Sequence, residues 1–160
     1  MPNITLLLHN IRSTHNVGSI FRTADGFGVQ RIILTGYTPH PTFPGDTRLP
    51  HLVVKLQKQI EKTALSATSS VPFEYHDNLL TWLDGNTLPL VALEQSEYSV
   101  TLKEFHPPSE FVLVLGEEVD GIPADLLAQC ESIVEIPMKG QKESFNVSVA
   151  AAIALYAMSN

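Results

Sequence analysis

At 160 residues, 44% of them apolar, the chain has the size of one ordinary domain spanning residues 1–160 and enough hydrophobic material for a core. A formal charge of −7 excludes a protein that grips nucleic acid over its whole surface, since phosphates call for clustered Lys and Arg; only a local face built from Arg12, Arg22, Arg31 and Arg48 stays open. No apolar run approaches the roughly 20 residues that span a bilayer, and Met1 to Asn10 lacks the basic start and cleavage site of a signal peptide, so the expected compartment is the cytoplasm.

In chain order, β-rich apolar runs occur at Ile4 to Leu8, Arg31 to Thr35, Leu88 to Leu93, Phe111 to Leu115 and Ser132 to Ile136. Between them lie segments with helical spacing or turn residues, the alternation of an α/β fold with a parallel sheet covered by helices. The run Phe-Val-Leu-Val-Leu at 111–115 is apolar on both faces, as a strand with helices above and below must be. The first helix is predicted from Asn16 as N-cap, with Val17, Ile20, Phe21 and Ala24 forming the buried stripe. Gly36 to Pro50, rich in Pro and Gly, reads as a long loop, and a helix from about Leu52 to Lys62 follows it. The final segment, Asn146 to Met158, is apolar on nearly every side, which predicts a helix covered from more than one direction, the second cover being a dimer partner.

Three segments look unlike core or linker. In the first, His9-Asn10-Ile11-Arg12 leads to Asn16-Val17-Gly18-Ser19-Ile20-Phe21-Arg22-Thr23-Ala24-Asp25-Gly26-Phe27-Gly28, a helix start with free N–H groups and an arginine one and a half turns in, suited to an anion. Glycines at 18, 26 and 28 are costly there unless something approaches closely or the chain turns. The second, Leu115-Gly116-Glu117-Glu118-Val119-Asp120-Gly121-Ile122-Pro123, is an acidic loop after a buried strand, where parallel sheets place their ligands. The third runs from Ile136-Pro137-Met138-Lys139-Gly140 to Ser144-Phe145-Asn146-Val147, an irregular loop with Ser144 or Asn146 capping the last helix. No strand leads into GxGxxG, and no Gly-rich loop ends in Lys-Ser/Thr, so a small α/β enzyme for another nucleotide lacks its usual signature.

Taken together and in this order, the three segments resemble the three motifs of the SpoU/TrmH family of RNA 2′-O-methyltransferases, in the SPOUT superfamily. Lys62-Thr63-Ala64-Leu65-Ser66-Ala67 adds to the likeness, relatives often having Gly where this chain has Ser66. The match covers about Asn10 to Tyr156. The resemblance implies an α/β domain with a C-terminal deep trefoil knot, a homodimer, and S-adenosylmethionine as methyl donor. It implies donor contacts at Leu93, Gly116, Ile136, Met138 and Ser144, and a reaction pocket of Asn16, Arg22, Glu118, Ser144 and Asn146. Arg22 occupies the position given the task of activating the 2′-hydroxyl, and Glu118 is expected to hold either Arg22 or the Asn16 amide. Larger relatives carry added RNA-binding segments that this chain is not expected to have; transfer RNA, being compact, is the favoured substrate over ribosomal RNA.

Taken singly, these residues have plainer readings. Asn16, Ser144 and Asn146 suit helix caps, Arg22 a solvated surface charge, Glu117, Glu118 and Asp120 an acidic turn, and Met138 a filler of gaps. His9, His15, His40 and His51 match no metal or triad spacing. Cys130 permits no internal disulfide and has no Cys/His cluster beside it, so it reads as a small buried hydrophobe and no metal is expected. A donor-binding but catalytically silent RNA-binding module is the competing reading; it predicts donor binding with no methyl incorporated.

Overall fold

The computed structural model describes residues 1–159. In chain order the elements are β1 (Asn3–His9), α1 (Thr14–Gly26), β2 (Arg31–Thr35), α2 (Pro50–Ala64), α3 (Ala67–Ser70), β3 (Phe73–His76), α4 (Leu79–Gly85), β4 (Leu90–Leu93), β5 (Val100–Thr101), β6 (Glu110–Leu115), α5 (Ala124–Leu127), β7 (Ser132–Glu135) and α6 (Val147–Met158). Seven strands form one sheet in the order β3-β2-β1-β6-β4-β7-β5, every pairing parallel. The five expected strands are all there; β4 starts two residues later than predicted, after Pro89, and β7 stops one residue earlier, ahead of Pro137.

Side-chain alternation along the doubly buried strands makes two cores. Leu6, Leu8, Phe111, Leu113 and Leu115 face α1, α2 and α6, meeting Val17, Ile20, Phe21, Ile60 and Leu155. Leu7, Ile33, Val112 and Val114 face the other way, onto Trp82 and Leu83 of α4, Leu126 of α5, and a half-buried Cys130 whose thiol pKa burial pushes up to about 11. That thiol stays protonated at neutral pH and is a packing group.

The start of α1 differs from expectation. Ser13 is the N-cap, its Oγ accepting from the Asn16 backbone N–H at 3.2 Å, so the helix begins at Thr14. Asn16 is thereby freed from capping and carried, buried, inside the first turn. Gly18 is where α1 touches α2: a Cβ there would collide with the Ile60 carbonyl and Thr63 Oγ1. Thr63 Oγ1 donates to the His15 carbonyl at 2.9 Å across the same contact.

α2 ends through two left-handed residues, Leu65 at φ 49° and Ser66 at φ 73°. Glycine adopts that conformation without the Cβ penalty, which gives the expected glycine at position 66 a physical reason. Ser66→Gly is expected to stabilise the fold by about 0.5–1 kcal/mol; an unchanged or lower chemical-denaturation midpoint would contradict this.

α6 is capped by Asn146 and packs alongside α1, with Asn16 against Asn146 at their starts and Phe27 against Tyr156 further along. Ala151, Ala154, Leu155 and Met158 are buried, whereas Val149 and Tyr156 are 46% and 66% exposed. Within this chain the helix is therefore covered on one side.

Candidate active site

The three unusual segments meet beyond the C-terminal edge of the sheet, where β1, β4, β6 and β7 end side by side. Their junction is a chain of polar contacts. The Glu118 carboxylate accepts from the backbone N–H of Arg12 at 3.0 Å, from that of Ser13 at 3.1 Å, and from Asn16 Nδ2 at 2.9 Å. Asn16 Oδ1 in turn accepts from Asn146 Nδ2 at 3.1 Å, and Asn146 Oδ1 accepts from the Ser148 backbone N–H and hydroxyl at 2.9 and 2.7 Å. Acceptor and donor sides alternate along Glu118, Asn16, Asn146 and Ser148, so each amide has one workable orientation.

The Glu118 pKa lies below its ordinary value. Burial, the largest single influence, raises it, but the hydrogen bonds from Arg12, Asn16 and Ser13 together outweigh burial. The carboxylate is ionised at neutral pH.

Neighbouring carboxylates hold the loops. Glu117 Oε1 lies 2.6 Å from Arg12 Nε, an ion pair without hydrogen-bond alignment, and Glu117 Oε2 accepts from Val119 and Asp120 backbone N–H groups, folding the acidic loop on itself. Glu94, just past β4, accepts from Ile122 N at 3.0 Å and Gln95 N at 2.9 Å. Gln95 Nε2 donates to the Glu143 carbonyl at 2.8 Å, joining the loops after β4 and β7. Gly116 admits no side chain, since a Cβ would come within 2.5 Å of the Gly121 and Ile122 backbone.

These loops surround a cavity of about 640 Å³, a size that suits a cofactor. Leu93, Gly116, Ile136 and Ser144, four of the five positions expected to meet the donor, line it, as do Glu118 and Asn146. Met138, the fifth, is partly buried but is not among the lining residues. Glu94, Glu117, Glu135 and Glu143 also line it and give the walls a negative character. Sequence reasoning passed over Glu94 and Glu143, because a single acidic residue after a strand or in a loop carries no pattern.

Arg22 stands apart. It is exposed, makes no ion pair or side-chain hydrogen bond among the described residues, and does not line the cavity. Of the two expected partners of Glu118, the structure selects the Asn16 amide. Of the four early arginines only Arg12 and Arg48 share a cavity wall, beside the site and away from Arg22 and Arg31. Arg31 opens β2 at the opposite edge of the sheet and pairs with Glu74 at 3.1 Å, and Arg48 is consumed by Asp46 and by the carbonyls of His40 and Pro41. Arg48 holds the Asp46 carboxyl far below the usual carboxylate range.

His9 shares a hydrogen bond of 2.9 Å with Thr35 Oγ1 through Nδ1, and its Nε2 faces Asn10 Nδ2 at 3.2 Å; burial lowers its pKa, so it is a neutral structural ring. Among the described residues no group of three His, Cys, Asp or Glu is placed to hold a metal ion, and no helix is long and apolar enough to cross a membrane.

Known proteins are similar to this chain in sequence and in fold. The tRNA (guanosine(18)-2′-O)-methyltransferase of Escherichia coli is 28% identical over 158 residues, covering 97% of this chain and 62% of that protein. A 23S rRNA (guanosine-2′-O-)-methyltransferase of Nitrosomonas europaea is 32% identical over 158 residues, covering 97% of this chain and 55% of that protein. The chain thus spans less than two thirds of the length of these relatives. In fold it is similar to an AdoMet-bound rRNA methyltransferase from Sinorhizobium meliloti, with a TM-score of 0.77 at 23% identity over 97% of this chain and 55% of the other. Residues 3–156 match the model of the SpoU rRNA Methylase family, and with the three motif segments gathered at one sheet edge the chain belongs to that family.

Proposed function

We propose that this chain methylates a ribose 2′-hydroxyl of RNA with S-adenosylmethionine as donor, in the cytoplasm and as a homodimer, with transfer RNA favoured over ribosomal RNA. The observation that carries the reading is the relay Glu118–Asn16–Asn146, which ties three segments far apart in sequence to the wall of one cofactor-sized cavity.

The cavity fits the donor in chemistry. Its carboxylates suit a ligand bearing sulfonium and ammonium charge, and Leu93, Leu115, Ile136 and Phe145 offer apolar surface for a ring. When bound, the donor supplies a methyl group activated by the positive sulfur. Residues of the chain then have positioning as their main task, since the ribose oxygen and the methyl carbon must stand roughly 3–3.5 Å apart and in line. Asn16 and Asn146, locked by Glu118 and Ser148, fix that wall. As the ribose O–C bond formed, the donor's S–C bond would break to leave a neutral thioether, and the hydroxyl proton would pass to solvent. A guanidinium, with a pKa above about 12, is a poor base, so Arg22 is assigned the holding of a ribose or phosphate oxygen and stabilisation of the developing alkoxide.

Arg22 is exposed outside its own chain's cavity, an arrangement that suits a site shared between two copies. Exposed Val149 and Tyr156 on α6, with Phe145 just before it, provide the apolar surface for such a partner. Sheet topology supports the knot: β7 lies between β4 and β5, which residues 94–99 join directly across its end, so the chain leaving β7 has that short link to pass through.

The test is transfer of labelled methyl from S-adenosylmethionine to bulk RNA, with nucleoside analysis of the product. Donor binding with no methyl incorporated into transfer or ribosomal RNA would leave the silent binding module instead. Arg22→Lys keeps the charge and removes the planar fork, and is expected to lower turnover about tenfold. Near-normal turnover would remove the need for that geometry.

A further inference from the structure

A second cavity, of about 530 Å³, lies beside the reaction site and takes no part in the mechanism above. Arg12, Tyr37, His40, Leu56, Gln59 and Tyr75 are among its walls, drawn from the loop after β1, the loop after β2, α2 and β3. One wall is a ready-made aromatic stack, the His40 and Tyr75 rings lying 3.9 Å apart at 22°. His40 Nδ1 donates to the Pro41 carbonyl at 3.0 Å and burial lowers its pKa, so the stack is uncharged at neutral pH. Tyr37 is 55% exposed and shares this cavity wall with Arg12. The Arg12 backbone is the same one that Glu118 grips, so the cavity is rigidly coupled to the methyl-transfer site.

Charge on this side of the molecule runs against the chain's net −7. Lys55, Lys58 and Lys62 fall at i, i+3 and i+7 of α2 and are all exposed, with exposed His51 one turn before them. Leu56 and Gln59, which line the cavity, occupy the adjoining flank of the helix, so the stripe begins at the cavity's lip. Of the nearby carboxylates, Asp46 is neutralised by Arg48, whereas Glu61 keeps its charge and accepts from Ser66 N, Thr68 Oγ1 and Gln57 Nε2, leaving three lysines against one free carboxylate. Lys55 to Lys62 span about 10 Å, a length that meets two to three successive phosphates of a single strand.

We propose that this cavity and the lysine stripe of α2 form the track for the RNA strand flanking the methylated nucleotide. A neighbouring base rests in the cavity against Tyr37, its phosphate meets Arg12, and the following phosphates run along Lys62, Lys58 and Lys55. The proposal rests on the RNA-methylation reading and names how that same site takes its substrate. Stacking on Tyr37 tolerates any base, and the lysines contact only backbone, so this surface contributes affinity and leaves sequence choice to the reaction pocket.

Binding of bulk transfer RNA and of an oligouridine of about twelve nucleotides is measured by fluorescence anisotropy between about 50 and 200 mM salt. S-adenosylmethionine binding is followed by calorimetry on each protein. Charge reversal at Lys55, Lys58 and Lys62 is expected to flatten the log–log salt dependence by about two and to weaken RNA binding on the order of 100-fold near 0.1 M salt, with donor affinity unchanged. The milder Lys→Gln triple variant carries the same expected change in slope and guards against misfolding. Tyr37→Ala is expected to weaken binding about tenfold at an unchanged slope. Wild-type RNA affinity and slope in both triple variants, with donor binding intact, would overturn the track and leave methyl transfer standing. A wild-type protein that binds the donor but neither RNA overturns it too, and one that binds neither donor nor RNA removes the methylation reading with it.

Discussion

Glu118→Ala is expected to lower methyl transfer by two to three orders of magnitude while donor affinity stays within a few-fold. The carboxylate receives three hydrogen bonds, from Arg12 N, Ser13 N and Asn16 Nδ2, and nothing else in the loop can replace them together. Its removal releases the Asn16 amide, and through Asn16 Oδ1 it releases Asn146. A misplacement of about 1 Å in such a wall costs roughly 10²-fold in rate. Glu118→Gln discriminates position from charge: a single carbonyl oxygen can still accept from Ser13 and Asn16 and only the Arg12 contact is lost, so a loss of about tenfold is expected. Wild-type turnover in the alanine variant would show that the relay positions nothing.

The same carboxylate makes stability depend on pH. Its folded pKa is depressed below the ordinary 4.5, so its stabilising contribution is complete above about pH 4.5 and disappears as pH falls through the folded value. Melting temperatures of wild type and Glu118→Gln should therefore differ at neutral pH and converge in acid.

Gly18→Ala is expected to destabilise the fold by about 1–3 kcal/mol, although alanine is the better helix former by about 1 kcal/mol. The added methyl meets the Ile60 carbonyl, which is backbone and cannot rotate away, together with Thr63 Oγ1. Relief requires α1 and α2 to separate, an overpacking cost of about 1–3 kcal/mol, plus about 1 kcal/mol for the Thr63 to His15 hydrogen bond. For a chain of this size the melting temperature should fall about 3–10 °C. Gly26→Ala is the control, because a Cβ there meets nothing within 4 Å. If Gly18→Ala melts no lower than Gly26→Ala, the close approach of the two helices is not what retains the glycine. Asn16 lies two residues before Gly18, so the variant should lose activity along with stability.

Runs apolar on both faces marked β1, β2 and β6 because only a strand between two helical layers tolerates them. β5 and α5 were invisible, being too short for any periodicity to register, and β3 because Glu74 and His76 leave it no apolar run; they form because neighbouring strands and core residues already offer them a surface. Asn16 looked like a helix cap as good as any. Ser13, three residues earlier, took that place, and only then did the Asn16 amide become available to Glu118.

From sequence alone one could derive the α/β class, the parallel sheet, the three segments that converge, and a glycine in α1 that something must press against. These follow from local pattern and from the steric peculiarities of single residues. Which groups meet was decided by the tertiary structure. It paired Glu118 with Asn16 across 102 positions and Asn16 with Asn146 across 130, spent the charges of Arg31 and Arg48 on Glu74 and Asp46, and set Arg22 outside its own cavity. The reason is geometric: hydrogen bonds and ion pairs act over about 3 Å, a distance that chain order does not encode and that the strand order of the sheet alone imposes.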